Sequence, residues 1–383
     1  MKRLLALVAV GLVVFGIVAS AVVVSSPLPS RPAKTGAGPT LRALSRDTGK
    51  GRGSSAPTPD SGGIVIANIT VGSFPQGAAY DRRNGFVYVA NAGSNNVSVI
   101  NGTTVVATVS VALSPTAVGY DSENGYVYVA DAGANKVSVI DGTTVVATVS
   151  VGGTPEGVGY DSGNGFVYVA NYGSNTVSVI NGTTVVTTLA VGNHPDGVGY
   201  DSGNGFVYVA NYDSNTVSVI NRTTVVATVS VGSYPDAVGF DSGNGFVYVA
   251  NSGSNNVSVI NGTTVVATVA VGSSPDGVGY DSGNKYVYVA NGYPSDNVSV
   301  LSGTTVVGAI PVRNHPVGVV YDSGNGYVYV ANVVANTVSV ISATPPIPHF
   351  LVTFAEAGLP PGTSWSVALA GKTNTSSATT IKF

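Results

Sequence analysis

Residues 151–190 have the sequence VGGTPEGVGYDSGNGFVYVANYGSNTVSVINGTTVVTTLA, and close copies of this stretch follow one another along the chain. It contains four short runs rich in β-branched and aromatic residues, PEGVGY, FVYVAN, TVSVI and TTVVTTLA. Gly, Asn and Pro separate the runs, which is the pattern of short strands joined by turns. Two separators are Asn-Gly, at Asn164-Gly165 and Asn181-Gly182, and they predict two-residue type I′ hairpins.

The copies are marked by an aromatic-Asp pair with a spacing of 40 residues five times and then 41. A four-stranded unit of about forty residues, repeated around a ring, is typical of a β-propeller blade. Seven copies therefore predict an all-β, seven-bladed propeller. The pairs are Tyr80-Asp81, Tyr120-Asp121, Tyr160-Asp161, Tyr200-Asp201, Phe240-Asp241, Tyr280-Asp281 and Tyr321-Asp322.

The two ends of the repeat array complement each other. Residues 63–72 (GIVIANITVG) match the fourth run of a unit and precede the first aromatic-Asp pair. The seventh unit lacks a fourth run after Ile341. We therefore expect the N-terminal strand to complete the last blade and close the ring, which removes an open sheet edge.

The motif Tyr88-Val89-Ala90-Asn91 and its six counterparts resemble the YVTN family of β-propeller repeats, with Ala where the family name has Thr. The resemblance covers residues 63 to about 342. It implies a secreted or surface protein of the archaeal surface-layer type. The wider group also contains lactonase-like enzymes, so the resemblance leaves a hydrolase open as an alternative.

The N-terminal residues 1–24 predict a signal peptide or a membrane anchor. After Lys2 and Arg3, the run from Leu4 to Val24 carries no charge, and 21 helical residues at ~1.5 Å each match the ~30 Å core of a bilayer. The same run also fits a signal peptide cleaved after small residues, so both readings stay open. Residues 25–62 are rich in Pro, Ser, Gly and Arg and predict a flexible linker.

The C-terminal part departs from the repeat. Residues 343–349 predict a Pro-rich linker. Residues 350–383 show two alternating runs, LVTF and WSVALAG, around a Pro-Gly turn. This segment resembles the start of small β-sandwich modules of surface proteins from Thermoplasma-related archaea, and a partial β-sandwich is expected here.

Charge and cysteine content exclude several functions. The chain has 16 Lys and Arg against 19 Asp and Glu, and residues 63–343 hold six basic against sixteen acidic residues. Nucleic-acid binding depends on Lys and Arg that displace counterions, so no nucleic-acid partner is expected. The absence of cysteine excludes thiol catalysis and thiolate metal sites. We expect neither a cofactor nor a bound metal.

Positions that repeat in every copy are predicted to be structural. The aspartates of the aromatic-Asp pairs are expected to cap turns, with a calcium role as the alternative. Asn91 and its equivalents at 171, 211, 251, 291 and 332 are likewise expected to form turns.

Positions that differ between copies lie before the first run and between the second and third runs, which should place them on one face of the disc. Loops on a rigid scaffold commonly carry function, although drift in these loops and a solvated acidic rim are the alternatives. His194 and His315 should lie nearly across the ring and so should not share a metal ion. The candidate binding residues are His194, Tyr234, His315, Tyr172, Tyr212, Glu156, Asp196, Asp236 and Asp276.

We therefore expect an extracellular or cell-surface propeller that serves in binding, adhesion or envelope structure rather than catalysis. An enzyme needs one asymmetric pocket with perturbed ionisable groups, whereas seven nearly equivalent blades offer mainly a repeated surface. Its partner would be a cell-envelope protein, a glycan or a small-molecule ligand, and it would contact the membrane if the N-terminal segment is uncleaved. A lactonase-like hydrolase or a redox propeller with a cofactor is the alternative. Candidate glycosylation sites are Asn68, Asn96, Asn101, Asn181, Asn221, Asn256, Asn261, Asn297 and Asn374.

Overall fold

The computed structural model describes residues 63–342 and four short strands beyond them, at 353–355, 365–369, 372–376 and 380–382. The predicted hydrophobic helix within residues 1–24, the linker 25–62 and the linker 343–349 lie outside the described residues. Within the described part of the chain, no helix combines the length and the apolar character that a bilayer crossing requires.

Residues 63–342 form seven four-stranded antiparallel sheets, so the prediction of a seven-bladed propeller is confirmed. The first strands, which line the central channel, are β2 (Pro75–Asp81), β6 (Pro115–Tyr120), β10 (Pro155–Asp161), β14 (Pro195–Asp201), β18 (Pro235–Asp241), β22 (Pro275–Asp281) and β26 (Pro316–Asp322). The second strands are β3 (Phe86–Asn91), β7 (Val127–Asp131), β11 (Phe166–Asn171), β15 (Phe206–Asn211), β19 (Phe246–Asn251), β23 (Tyr286–Asn291) and β27 (Tyr327–Asn332).

The third strands are β4 (Asn96–Asn101), β8 (Lys136–Asp141), β12 (Thr176–Asn181), β16 (Thr216–Asn221), β20 (Asn256–Asn261), β24 (Asn297–Ser302) and β28 (Thr337–Ser342). The outer strands are β5 (Thr104–Ser110), β9 (Thr144–Ser150), β13 (Thr184–Ala190), β17 (Thr224–Ser230), β21 (Thr264–Ala270), β25 (Thr305–Pro311) and β1 (Ile64–Thr70). We number the blades 1 to 7 in the order of their first strands.

The N-terminal strand closes the ring as predicted. Strand β1 pairs antiparallel with β28, with Val65 opposite Ile341 and Thr70 opposite Thr337. Blade 7 therefore takes three strands from the end of the repeat array and one from its beginning.

The hydrophobic core lies between the blades, and β3 shows why apolar residues occupy both faces of a strand. Tyr88 packs toward blade 2, in a cluster with Val127 and Val129. Val87 and Val89 point the other way and pack with residues of blade 7. All of these side chains are fully buried. A strand that is covered on both faces needs no polar alternation.

Glycine in the first strands allows neighbouring blades to approach closely around the channel. A Cβ atom on Gly157 would lie 1.9 Å from the carbonyl oxygen of Asp196 in the next blade. No side chain fits at this distance, so the glycine sets how tightly blades 3 and 4 meet.

The turn between the first and second strands is held by an aspartate, as predicted. In blade 3, Asp161 Oδ1 accepts a hydrogen bond from the Gly163 amide at 2.8 Å. The prediction of a two-residue type I′ turn at Asn164-Gly165 is wrong, since four residues connect β10 and β11. Gly165 alone of this pair has positive φ, at 76°. Asn164 instead uses its side chain, whose Oδ1 accepts a hydrogen bond from the Phe166 amide.

The second Asn-Gly turn also differs from the prediction. Asn181 belongs to β12 and pairs with Thr184, and Gly182 supplies the positive φ of 58°. A type I′ turn would need positive φ at two central residues, and Thr183 does not have it.

Buried tyrosines tie each blade to the next on this side of the disc. The Tyr168 hydroxyl receives a hydrogen bond from Asn164 Nδ2 at 3.0 Å and donates one at 2.8 Å to the carbonyl of Arg222, in the outer hairpin of blade 4. The same link joins Tyr88 to Gly142, Tyr128 to Gly182, Tyr208 to Gly262, Tyr248 to Gly303 and Tyr329 to Gly102.

The tyrosines of the aromatic-Asp pairs form a second set of links. Burial, and then the neighbouring Asp121 of the preceding blade, raise the pKa of Tyr160 to about 12. The aspartates of the preceding blades likewise raise the pKa values of Tyr80, Tyr120, Tyr200, Tyr280 and Tyr321, after burial, although the Tyr280 hydroxyl group is buried without a hydrogen-bond partner. Phe240 occupies this position in blade 5, next to Asp201, and has no hydroxyl to offer.

Asn91 begins a turn, as predicted, since its carbonyl oxygen accepts a hydrogen bond from the Ser94 amide at 3.2 Å, but its side chain has a second role inside the blade. Asn91 is the last residue of β3 and is fully buried. Its Nδ2 donates a hydrogen bond to Ser98 Oγ in the adjacent strand at 3.0 Å. The side chain thus joins two strands inside the blade.

Four strands belong to the C-terminal unit of the chain: β29 (Thr353–Ala355), β30 (Trp365–Leu369), β31 (Lys372–Ser376) and β32 (Thr380–Lys382). Strand β29 pairs with β32, and β30 pairs with β31, both antiparallel. These pairs agree with the β-rich runs in the sequence, whereas the predicted β-sandwich stays a prediction.

Candidate functional site at the channel mouth

The loops that vary between copies lie together on one side of the disc, as predicted. Tyr172, in the loop between the second and third strands of blade 3, stacks on His194, which precedes the first strand of blade 4. We call the surface formed by these two sets of loops the variable face. The opposite surface, which carries the turns between strands one and two and between strands three and four, is the hairpin face.

The backbone of the variable face is fixed from blade to blade. The residue before each first-strand proline has positive φ, and its amide donates a hydrogen bond to a side chain of the preceding blade. For His194, φ is 51° and the acceptor is Asn175 Oδ1, at 2.9 Å. The same arrangement holds for Phe74, Ser114, Thr154, Tyr234, Ser274 and His315. Side chains of different chemistry are thus displayed on one repeated and strained backbone.

Four aromatic side chains form a continuous aromatic arc, defined as Tyr172, His194, Tyr212 and Tyr234. The rings of Tyr172 and His194 are parallel, with centroids 4.2 Å apart. The rings of Tyr212 and Tyr234 stack at 4.8 Å, and those of Tyr172 and Tyr212 lie 6.3 Å apart at 54°. Such spacings are those of interacting aromatic pairs. Tyr234 keeps 46% of its surface exposed, so the arc has a free side.

An ion-pairing contact orients one end of the arc. Asp213 Oδ2 lies 2.6 Å from His194 Nδ1, and both side chains are partly exposed. Asp213 is not among the residues predicted from the sequence. The signal was available, because four copies have Gly at this position, namely at residues 93, 133, 173 and 253.

Next to the arc, the mouth of the channel opens into a cavity of about 420 Å³. The residue after each first-strand proline lines it. These residues are Gln76, Thr116, Glu156, Asp196, Asp236, Asp276 and Val317. The four carboxyl groups belong to consecutive blades 3 to 6, and we call them the acidic arc.

The acidic arc holds its protons more tightly than ordinary carboxyl groups do. Burial, and then the nearby charges of Glu156 and Asp276, raise the pKa of Asp196 to about 8. Burial, and then the charges of Asp196, Asp276 and Glu156, raise the pKa of Asp236 well above its usual range. Burial also raises the pKa of Glu156 and that of Asp276, each to about 7. Groups with such pKa values exchange protons near neutral pH, which is a common property of functional sites.

The two histidines occupy separate places. His315 lines the cavity, with Nε2 3.7 Å from Asp276 Oδ2, whereas His194 belongs to the aromatic arc. Among the described residues, no group of three or more histidine and acidic side chains is arranged to hold a metal ion.

Both arcs occupy the same sector of the variable face. The acidic arc spans blades 3 to 6, and the aromatic arc spans blades 3 to 5. The opposite sector of the cavity is lined by Gln76, Thr116 and Val317, which are uncharged. The propeller backbone repeats seven times, but its channel mouth is one asymmetric pocket.

The candidate glycosylation sites differ in accessibility. Asn68, Asn101, Asn181, Asn221 and Asn261 are exposed. Asn96 accepts a hydrogen bond from Asn91, and the serine of its sequon, Ser98, is buried; Asn256 and Asn297 are engaged in the same way. The side chain of Asn374 lies outside the described part of the chain.

No protein-family model and no curated protein sequence matches the chain. Solved structures do share its fold. A catalytically inactive histidine-to-alanine variant of virginiamycin B lyase from Staphylococcus aureus, with quinupristin, is 13% identical, with a TM-score of 0.65 over 72% of this chain and 98% of that one. A streptogramin B lyase structure is 12% identical, with a TM-score of 0.64 over 72% and 96%.

Hydrazine synthase from Kuenenia stuttgartiensis is also similar, at 19% identity and a TM-score of 0.61, over 77% of this chain and 99% of that one. At these identities the comparisons establish the β-propeller fold. The finer resemblance to YVTN surface proteins stays a prediction.

The expectation that the chain is not an enzyme is corrected by these comparisons. It rested on the argument that near-equivalent blades offer mainly a repeated surface. Lyases have the same fold, so the fold gives no reason to exclude catalysis. The cavity is also asymmetric and holds ionisable groups with shifted pKa values, which is what the argument had taken to be missing.

Proposed function

We propose that this protein is a cell-surface β-propeller that binds a ligand at the channel mouth, in the sector of blades 3 to 6. One observation carries the proposal: the aromatic arc and the acidic arc, which come from different positions of the repeat, coincide in one sector. A cavity with convergent polar groups and an aromatic wall is the usual form of a ligand site.

The arrangement supports a division of roles. The stacked rings of Tyr212 and Tyr234 offer a flat surface for a planar or apolar group. Asp196 and Asp236 offer carboxyl oxygens deeper in the channel. The fixed backbone beneath His194 and Tyr234 reduces the conformational entropy lost when a ligand binds.

The surface location belongs to the same proposal. The apolar run Leu4 to Val24 would direct export and would either be cleaved or remain as an anchor. Glycans on Asn101, Asn181, Asn221 and Asn261, the exposed asparagines at the hairpins between strands three and four, would then occupy the hairpin face and leave the channel mouth free. The partner would be an envelope protein, a glycan or a small molecule.

A thermal-shift screen with defined probes tests the binding proposal. Wild type would be screened against a panel of primary amines, monosaccharides and dipeptides, alongside the triple variant Tyr172→Ala, Tyr212→Ala and Tyr234→Ala. Phe74→Ala is the matched control, because Phe74 is the blade 1 equivalent of His194 and Tyr234 and is 54% exposed. We expect hits to survive in the control and to disappear in the triple variant; hits retained by the triple variant would contradict the proposal.

A second candidate function is acid-base catalysis on the bound molecule. The pKa values of about 7 for Glu156 and Asp276 suit proton transfer near neutral pH. His315 lies beside Asp276 and offers a second proton carrier. The lyases of the same fold support considering this reaction class.

Turnover assays separate catalysis from binding alone. Quinupristin and a simple lactone would serve as probe substrates, followed by mass spectrometry. Catalysis predicts that Asp276→Asn or His315→Gln removes turnover by at least about 100-fold. No conversion of either probe by wild type, together with retained binding, would contradict this candidate for those two substrate classes.

A further inference from the structure

Two carboxyl groups in the cavity lack a protein partner. Asp196 and Asp236 line the cavity at the channel mouth, and both residues are half-buried. Within the described part of the chain, neither accepts a hydrogen bond, and the charges that act on them are those of other carboxyl groups. By contrast, Glu156 interacts with Thr116, and Asp276 has His315 nearby.

The cavity contains no permanent positive charge to balance this arc. Its described lining has no lysine or arginine, and His315 is the one basic group, next to Asp276 at the end of the arc. A carboxyl group that is partly withdrawn from water, beside other carboxyl groups and without a cation, holds its proton more tightly. A neutral ligand that offers hydroxyl groups would leave this imbalance, whereas a ligand cation would remove it.

The aromatic arc extends from the same place toward solvent. The charges of Asp213 and Asp196 act on the Tyr172 phenol, and those of Asp236 and Asp276 act on the Tyr212 phenol, so the two arcs lie within electrostatic range of each other. A molecule with its charge at Asp196 and Asp236 would therefore have its other end at Tyr212.

We propose that the ligand is an organic cation, in which a protonated primary amine enters between Asp196 and Asp236 while an attached flat ring stacks on the aromatic arc. This inference rests on the proposed function and narrows it to one class of ligand. The ammonium group would donate hydrogen bonds to both carboxylates and supply the missing positive charge. The ring would gain stacking and apolar contact with Tyr212 and Tyr234.

The affinity for such a ligand must depend on pH, because the cation binds the ionised carboxylates. The titratable groups that face the site are Glu156, Asp196, Asp236, Asp276 and His315, with the His194–Asp213 pair and the phenols of Tyr172 and Tyr212 at its edge. Since the pKa of Asp276 is about 7 and that of Asp196 is about 8, affinity should rise between pH 6 and 9. A primary amine, with a pKa near 10, stays charged over this range.

The test compares tyramine with tyrosol, which carries a hydroxyl group in place of the ammonium group. Isothermal titration calorimetry of the full chain should give a dissociation constant for tyramine at least about tenfold lower than that for tyrosol at pH 8.5. At pH 6 the difference should shrink to about threefold or less, and tyramine binding at pH 7.5 should release protons to the buffer.

Two substitutions localise the effect. Asp196→Asn and Asp236→Asn should each weaken tyramine binding at pH 8.5 by about tenfold and leave tyrosol binding within about twofold. Glu123→Gln is the matched control, because it removes one negative charge from the hairpin face, and it should leave both dissociation constants unchanged. Circular dichroism would show that each variant keeps the propeller fold.

Several outcomes would overturn the inference. These are equal affinity for tyramine and tyrosol at pH 8.5, no tyramine binding at about 10 mM, or tyramine binding that both Asn variants retain. A neutral sugar that wild type binds and the triple tyrosine variant does not would refute the cation inference and support the proposed function. If every probe that wild type binds is also bound by the triple tyrosine variant, both the inference and the proposed function would be refuted.

Discussion

The hairpin face and the variable face are built from the same repeat but use its residues in opposite ways. On the hairpin face, most of the side chains that link one blade to the next are the same in equivalent positions, as with Tyr168 and its hydrogen bond to the Arg222 carbonyl. On the variable face, the links come from one fixed set of side chains, such as Asn175, and the neighbouring positions differ in chemistry. One face therefore holds the ring together, and the other displays different groups on a common backbone.

The difference between the two faces shows which residues of a repeat protein are candidates for function. Residues that are the same in every copy stabilise the fold, and residues that differ between copies can bind a ligand. Sequence differences between the copies do not by themselves indicate a binding site, because drift also produces them. Here the acidic residues and the aromatic residues differ from their equivalents in the same sector, although they come from separate loops and strands.

Both faces exist only if β1 closes the ring of blades. Deleting residues 1–72 removes β1 and leaves β28 as an open edge. It also removes Ile69 from the hydrophobic core between blades 7 and 1. We expect the Tm to fall by roughly 10 °C or more, with aggregation. Deleting residues 1–60 is the control and should leave the Tm unchanged. Equal Tm values for the two truncations, by calorimetry, would show that β1 does not close the ring.

Tyr168→Phe tests the hairpin-face links. The change removes the hydroxyl group that joins Asn164 and the Arg222 carbonyl, so buried polar groups lose a partner. The free energy of unfolding should fall by about 1–3 kcal/mol. Tyr172→Phe removes a hydroxyl group from the variable face and should change it by less than about 0.5 kcal/mol. Similar losses in the free energy of unfolding for both variants would show that the two faces do not differ in their contribution to stability.

Asp196→Asn tests whether the variable face carries a stability cost. The folded state raises the pKa of Asp196 from 3.8 to about 8, so it binds the proton more tightly than the unfolded chain does. Wild-type stability should therefore fall as pH rises from about 4 to about 8. After discounting for water in the channel, the variant should be about 1–2 kcal/mol more stable than wild type at pH 9 and show no gain at pH 4. The same difference at both pH values in denaturant unfolding would contradict this.

Phe240→Tyr tests whether the tyrosine-aspartate interactions stabilise the ring, because blade 5 has phenylalanine where the other six blades have tyrosine. The new hydroxyl group would meet Asp201, as tyrosine does at the equivalent contacts. We expect a gain of about 0.5–1 kcal/mol in the free energy of unfolding. Tyr200→Phe, which removes the same contact one blade earlier, should lose about as much. A loss of stability in Phe240→Tyr would mean that the hydroxyl group does not reach the carboxylate.

The sequence predicted what local patterns and periodicity determine. The repeat period predicted the seven blades, and the missing fourth run after Ile341 predicted that the N-terminal strand closes the ring. Links between blades were not predictable, because they join residues such as Tyr168 and Arg222, 54 positions apart, whose meeting depends on how two sheets pack. The turn prediction at Asn164 was wrong because the Asn164 backbone does not adopt positive φ. Its side chain stabilises the turn instead, by accepting a hydrogen bond from the Phe166 amide.

For the site, the sequence supplied the residue types and their common face. It could not supply the pKa values of the acidic arc, because these depend on enclosure by the channel and on the distance between blades. The aromatic stacking and the role of Asp213 likewise required coordinates. The coincidence of the two arcs could have been found by assigning each variable residue to its blade.

The most direct test of a single asymmetric site is the crystal structure of the protein grown with tyramine at pH 8.5. The account predicts one molecule in the channel mouth, with its nitrogen about 3 Å from a carboxylate oxygen of Asp196 or Asp236 and its ring against Tyr212. Tyramine bound beside Gln76 and Thr116 instead, or on the hairpin face, or absent from the cavity, would contradict it.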